Sequence, residues 1–287
     1  GIDIDSFAPR LAYHLVIGLD FFEEVAKVRA CRRLWAHIVK ERFKAKDPRS
    51  MMFRFFCGPA PRQCTSVEPL NNIIRGTIDM MAVACSGAQA ASNFSYDEAY
   101  SIPTEESALI ALRTQQIVAY ETGLTKVADP LGGSYYLESL TNELETRIRD
   151  LMEKIEADGS ILELIEKGVI QHEVQKSAYE EELKKQKGEI PVVGVSIFPQ
   201  KDYEEMDVKL ERVDPKVRKK QIDNLNLTRQ NRDNEKVREV LEKLRENAQK
   251  DVNLMPAIID AVREYATIGE IMGVFREEFG EFKDIIV

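Results

Sequence analysis

Histidine, tryptophan and cysteine are all scarce in this chain. Its 287 residues include three histidines (His14, His37, His172), one tryptophan (Trp35) and four cysteines (Cys31, Cys57, Cys64, Cys85). The histidines form no HExxH or other metal cluster, and no cysteine begins a CxxC, so zinc-ligand spacing is absent. Four scattered thiols in a chain of this length suit a reducing cytosol better than a disulfide framework, and the expected location is cytoplasmic. No apolar run reaches the roughly 20 residues of a membrane span, and no signal peptide is present. Walker, GxSxG and GxGxxG motifs are missing, as is any obvious internal repeat. Lysine and arginine total 40 against 49 acidic residues, a net charge of −9. That balance carries no nucleic-acid footprint; a small anionic ligand needs only a few local arginines. The chain opens at Gly1-Ile-Asp-Ile-Asp5 rather than at methionine, which suggests a fragment or a cleaved product.

What is there is an ordinary globular composition, 44% hydrophobic and 31% charged, long enough for one large α/β domain or two smaller ones. The stretch Ser50-Met-Met-Phe-Arg-Phe-Phe-Cys-Gly-Pro-Ala-Pro61 reads as a short buried strand that ends at Gly58, because Pro59 and Pro61 cannot serve a central ladder. Helical patterns flank it at 20–43 and 66–83. A buried strand between helices is the unit of a parallel α/β sheet, and ligands are met past the C-terminal ends of its strands. Leu11–Ile17 is a second strand, with Arg10, Ala12 and His14 on one face; a histidine so placed is more often a hydrogen-bonded core residue than a catalyst.

Further along, Thr65-x-x-Glu68 has the form of a capping box. Ala82–Ala91 is small and apolar enough for a tightly packed strand, followed by the polar loop Ser92–Ala99. Thr104 caps the next helix, with Glu105 and Glu106 in its first turn, and Gly123 stops it. Asp129–Gly133 is a turn cluster before a helix over 139–157. Beyond 160 the segments near 160–185 and 232–250 are amphipathic helices, Ile190–Phe198 is one extended piece, and 200–231 is a charge-dense solvated arm. The final helical stretch, 254–280, is a candidate for contact with other chains. Residues alone therefore give an α/β chain with a ligand face near Arg10, Arg49, Phe56 and Glu98.

At these same stretches the chain resembles the large subunits of methylmalonyl-CoA mutase and related adenosylcobalamin-dependent acyl-CoA mutases. The matching blocks are Ile4-Asp-Ser-Phe-Ala-Pro-Arg-Leu11, Glu68-Pro-Leu-Asn-Asn-Ile-Ile-Arg75, Asp97-Glu98-Ala99 with Pro103-Thr104, Val127-Ala-Asp-Pro-Leu-Gly-Gly-Ser-Tyr135, Gly194-Val195 and Ala266-Thr-Ile-Gly-Glu270. The resemblance implies an α/β fold: part of a (β/α)8 TIM barrel over 1–158, followed by a mostly helical wrapping or linker region over 159–287. It implies an isomerase that rearranges an acyl-CoA by radical chemistry. The partners would be a cobalamin-binding domain or subunit and a chain carrying the first half of the barrel.

Carried over position by position, the resemblance implies that Arg10 and Arg49 contact coenzyme A, Arg49 standing where the family has lysine. Ala12 stands for a serine on the same path. Gln89 would lie along the substrate arm, and Glu98 would hold the ribose of the adenosyl group. The reacting side departs from the family. Its Arg-x-His-x-Gln appears here as Arg54-Phe-Phe56-Cys-Gly58, Ser92 stands for a second histidine, and Phe94 for an asparagine beside the adenosyl group. Two readings stay open: a mutase reshaped for a bulkier or less polar acyl group, with His14 replacing a lost donor, or a catalytically silent structural subunit.

Overall fold

The computed structural model describes residues 1–200, 210, 212 and 214–283. It divides into two compact units, Gly1–Glu211 and Arg212–Val287.

The first unit is mixed α/β, mostly helical around a small parallel sheet. In chain order it runs α1 (Ile4–Phe7), a 3-10 turn Ala8–Arg10, β1 (Tyr13–Ile17), α2 (Phe21–His37) with a π turn Ile38–Arg42, and a 3-10 turn Pro48–Met51. Then come β2 (Phe55–Pro59), α3 (Asn71–Ser86), β3 (Ala90–Ala91), α4 (Glu105–Tyr120), α5 (Tyr135–Asp158), α6 (Ile161–Glu166) and α7 (Val169–Gln186). The strands lie in the order β1-β2-β3, all parallel, with Tyr13 opposite Phe55 and Phe56 opposite Ala90.

Strand alternation decides which face is covered. Leu15, Ile17, Phe55, Cys57 and Ala91 pack against Val25 and Val28 of α2 and Met80 and Val83 of α3. Each fully buried aliphatic side chain there contributes about 1.5–3 kcal/mol. The alternate residues, His14, Val16, Phe56, Gly58 and Ala90, form the other face. There His14, Val16 and Ala90 are exposed.

The second unit contains α8 (Pro215–Asn231), α9 (Asn234–Ala248), α10 (Met255–Arg263) and α11 (Ile268–Phe279). Its core is Leu244, Ala257, Ala261, Ile271 and Val274; the small alanines let α10 approach α9 closely.

Several sequence expectations need correction. The helix expected to end near 83 continues to Ser86, because alanine and methionine sustain a helix as readily as they pack in a strand. Only Ala90–Ala91 remains for β3. The stop is Gly87, in the left-handed region at φ 81°, where a Cβ would collide with the Arg32 guanidinium. Thr65–Glu68 is not a capping box: the Thr65 N–H donates to Asn72 Oδ1 at 3.1 Å, its hydroxyl donates to the Val67 carbonyl, and Glu68 itself sits at φ 49°.

Ile190–Phe198 is not extended but folds back through Gly194 (φ 81°), with the Gly194 N–H donating to the Ile197 carbonyl at 2.9 Å. Within 200–231, Asp214 caps α8 and Pro215 opens it, so this part of the expected arm is a helix; 201–209, 211 and 213 lie outside the described residues. The composition shift near 159 is not a break in packing. Arg62 pairs with Glu181 of α7, and Arg75 donates to the Val193 carbonyl at 3.0 Å, tying 160–200 to the sheet unit.

Candidate functional site

The site residues expected from the sequence fall at two levels along the strands. At the N-terminal ends, the 3-10 turn carrying Arg10 lies against the one carrying Arg49. The Asp5 carboxylate ties α1 to the Arg49 turn, accepting from the Lys46 N–H at 2.8 Å and from the Ser50 hydroxyl at 2.7 Å. These two bonds, the backbone one first, hold its pKa below the ordinary aspartate value. Both arginines are exposed. Arg10 makes no ion pair with any described residue, whereas Arg49 grips Asp47 through Nε and Nη2, the latter at 2.7 Å. Arg54 donates to the Pro9 carbonyl and so braces the same corner.

Beside this corner opens a cleft of about 980 Å³, lined by Ala12, Phe53–Phe56 and Gln89, and by Arg29, Arg32 and Arg33 of α2. Arg29 is neutralised by Glu138 at 2.7 Å and Asp129 at 3.0 Å, and Arg33 by Glu145. Among the described residues Arg32 bonds only the Ser86 carbonyl, at 3.4 Å. Gln89 holds the start of β2: its oxygen accepts from the Phe55 N–H at 2.8 Å and its amide donates to the Gly87 carbonyl. Sequence reasoning missed the arginines of α2, because a charged helix face reads as solvated when its neighbours are unknown.

Further along the strands, from the His14–Phe56 pair to Gly58 and Ser92 after β3, His14, Phe56, Gly58 and Ser92 come together on the uncovered face of the sheet. His14 stands edge-on to Phe56, with ring centroids 4.8 Å apart and planes at 82°. A Cβ on Gly58 would lie 3.5 Å from His14 Nε2, 3.5 Å from Phe56 Cε1 and 3.8 Å from Ser92 Oγ. The corner presents one imidazole and one hydroxyl. Phe94 lies beyond β3 but is buried, 7% exposed, and so is not presented on this face. Glu98 is exposed in the loop after β3 and makes no ion pair with any described residue.

On the covered side of the sheet, Asp79 of α3 is fully buried, with one oxygen accepting from Gln63 Nε2 at 3.3 Å and the other unpartnered. Burial, reinforced by the Glu24 charge, pushes its pKa up to about 7. Burial also pushes the Cys57 and Cys64 thiols up to about 12, so neither is a thiolate nucleophile near neutral pH.

These features define an α/β protein with an exposed arginine corner before the N-terminal ends of its strands and, on the open face beside it, a wall of His14, Phe56, Gly58 and Ser92. A family model described as methylmalonyl-CoA mutase matches residues 1–281. The 2-hydroxyisobutanoyl-CoA mutase large subunit of Aquincola tertiaricarbonis is 41% identical over 99% of this chain and 50% of its own length. Methylmalonyl-CoA mutase of Rhizobium meliloti is 37% identical over 99% of the chain and 40% of the relative. The mitochondrial methylmalonyl-CoA mutase of Bos taurus is 37% identical over 99% and 38%. The chain belongs to the methylmalonyl-CoA mutase family, and it spans half or less of the length of these relatives.

Proposed function

We propose that the first unit is part of the (β/α)8 barrel of an acyl-CoA mutase that isomerises the carbon skeleton of its substrate. The observation that carries this reading is the order of groups along one sheet: cations before the N-terminal strand ends, then His14, Phe56, Gly58 and Ser92 on the open face, and Glu98 in the loop after β3. An acyl-CoA lying along the strands meets Arg10 and Arg49 with its phosphates, which favour a forked guanidinium. Its acyl group then reaches His14, Phe56, Gly58 and Ser92. Gln89, on the path between, keeps the start of β2 in register.

Glu98 fits the role of ribose acceptor, since an exposed carboxylate without an ion-pair partner among the described residues is open to hydroxyl donors. Ser92 stands ready to add a hydrogen bond. Phe94, buried as it is, supports the loop between them. Adenosylcobalamin, held by a part of the protein other than these residues, supplies the radical chemistry. This chain's own residues bind, orient and exclude water.

The remaining partners in this reading are a cobalamin-binding domain or subunit and the rest of the barrel. No described helix is long and apolar enough to cross a membrane; a cytoplasmic location rests on cysteine usage alone. The expected calorimetric result for the assembled protein is binding of coenzyme A and short acyl-CoAs that weakens roughly tenfold or more in Arg10→Ala, the loss of one charged hydrogen bond. No binding, or binding indifferent to Arg10, overturns the reading.

The few polar groups among His14, Phe56, Gly58 and Ser92 favour one competing reading, a silent structural subunit. Turnover of branched acyl-CoAs with adenosylcobalamin, lost in Glu98→Ala, excludes that alternative.

A further inference from the structure

Asn72, in the first turn of α3, is fully buried, and its amide has no spare hydrogen-bonding capacity. Its oxygen accepts from the Thr65 N–H at 3.1 Å and from Arg75 Nη1 at 2.8 Å. Its nitrogen donates to the Thr65 and Tyr96 carbonyls, both at 2.9 Å. Two acceptor lone pairs and two N–H donors are thereby all used. One side chain therefore joins the segment after β2 to the turn after β3. The Tyr100 hydroxyl, donating to the Ser66 carbonyl, makes a second stitch between the same segments. The turn so held carries Glu98, whose N–H donates to the Ser95 carbonyl at 3.0 Å across Tyr96 and Asp97. Ser95 and Asp97 are buried on either side of Tyr96, and Asp97 accepts from the Thr104 N–H at 3.3 Å. Glu98 itself is exposed, on a turn fixed from beneath.

Resting on the role of ribose acceptor proposed above for Glu98, we infer that Asn72 is a positioning residue that places the Glu98 carboxylate for the adenosyl ribose. The distance from a hydroxyl to the oxygen it bonds varies over only about half an ångström. The turn has to be in place before the ribose arrives, and a buried, fully bonded amide does that. Arg75, itself buried, fixes which way the amide faces, since a flipped amide would point N–H groups at the guanidinium. Only an amide serves at this position. A carboxylate would still satisfy Arg75 and the Thr65 N–H, but it would set an oxygen against the Thr65 and Tyr96 carbonyls. The turn would then be pushed off α3, and Glu98 with it.

The test measures, by equilibrium titration, how strongly the assembled protein prefers adenosylcobalamin to methylcobalamin, which lacks the ribose. Native protein is compared with Glu98→Ala, Asn72→Asp and the double variant. The preference should fall about tenfold in Glu98→Ala, the loss of one charged hydrogen bond. It should fall by a similar factor in Asn72→Asp and no further in the double variant, because misplacing a carboxylate and removing it forfeit the same bond. Methylcobalamin and coenzyme A should bind all of these proteins alike. Arg75→Lys, which removes the fork that orients Asn72, supplies the same cycle should Asn72→Asp fail to fold. A preference intact in Asn72→Asp, or a loss that adds in full to that of Glu98→Ala, overturns the inference and leaves the role of Glu98 standing. An equal loss of methylcobalamin affinity marks a general structural role and overturns it too. A preference indifferent to Glu98→Ala overturns both the inference and the role of Glu98 on which it rests.

Discussion

Asp79 has the most unusual environment of any carboxyl described in the first unit. It is fully buried, has one unpartnered oxygen, and is raised from 3.8 to about 7 by burial first and by the charge of Glu24 second. In the unfolded chain the group ionises near its ordinary value, so between about pH 4 and 7 the folded state holds a proton that the unfolded state has released. Stability therefore falls as pH rises through that window, by up to about 1.4 kcal/mol per unit, and levels off above the folded value. Asp79→Asn keeps the shape and removes the ionisation. Urea unfolding should show the variant more stable than the native protein at pH 8 and indistinguishable from it near pH 4. An equal difference at both pH values would rule out ionisation of Asp79 as the cause. Nothing in the sequence marked this residue: an aspartate on a helix is ordinarily solvated, and only the packing of α3 against the sheet buries it.

Elements were legible where local chemistry decides them. Thr104 caps α4 by accepting from the Ser107 N–H, as its sequence position ahead of Glu105 and Glu106 requires. Ala82–Ala91 was not legible, because small apolar residues suit both a helix and a strand, and the choice falls to Gly87 and tertiary packing. In the second unit the ordering of α11 follows from one ion pair. Arg232 donates its fork to both Glu270 oxygens, Nη1 at 2.8 Å and Nη2 at 2.5 Å, and also donates to the Tyr265 carbonyl. Glu270 closes a capping box with Thr267 at the start of α11. Arg232 first, and the Thr267 bonds after it, draw the Glu270 pKa down to about 2. A depressed carboxylate contributes stability above its unfolded value, near 4.5, and loses it as pH falls towards 2. Glu270→Gln should flatten the acid side of the stability profile of this unit. Thr267→Ala should cost about 1 kcal/mol at all pH values above 5. Thermal unfolding followed at α11 by hydrogen exchange separates the two. A Glu270→Gln profile as steep as the native one below pH 4 would assign the acid sensitivity elsewhere.

At the scale of the molecule, the sheet determines what the chain needs. Helices α2 and α3 cover one face, and the other carries His14, Val16 and Phe56. Among the described residues no strand pairs with the outer edge of β1 or of β3. Unpaired parallel edges beside an uncovered face are templates for further strands, since backbone N–H and C=O groups left there can bond another chain. The candidate site was legible in kind because His14, Phe56 and Gly58 can be read from strand alternation. The placing of Arg10 beside Arg49 was not, since that depends on how the two 3-10 turns meet. If the open face is the inner wall of a larger barrel, the 287-residue chain on its own should associate, and a partner supplying the remaining strands should suppress that association. Size-exclusion chromatography with light scattering on this chain decides the matter. Oligomers or aggregates at micromolar concentration are expected, accompanied by binding of a hydrophobic dye. A monomer that unfolds cooperatively and binds no dye would mean that the open face is tolerated in water, and the barrel reading would then lose its structural support.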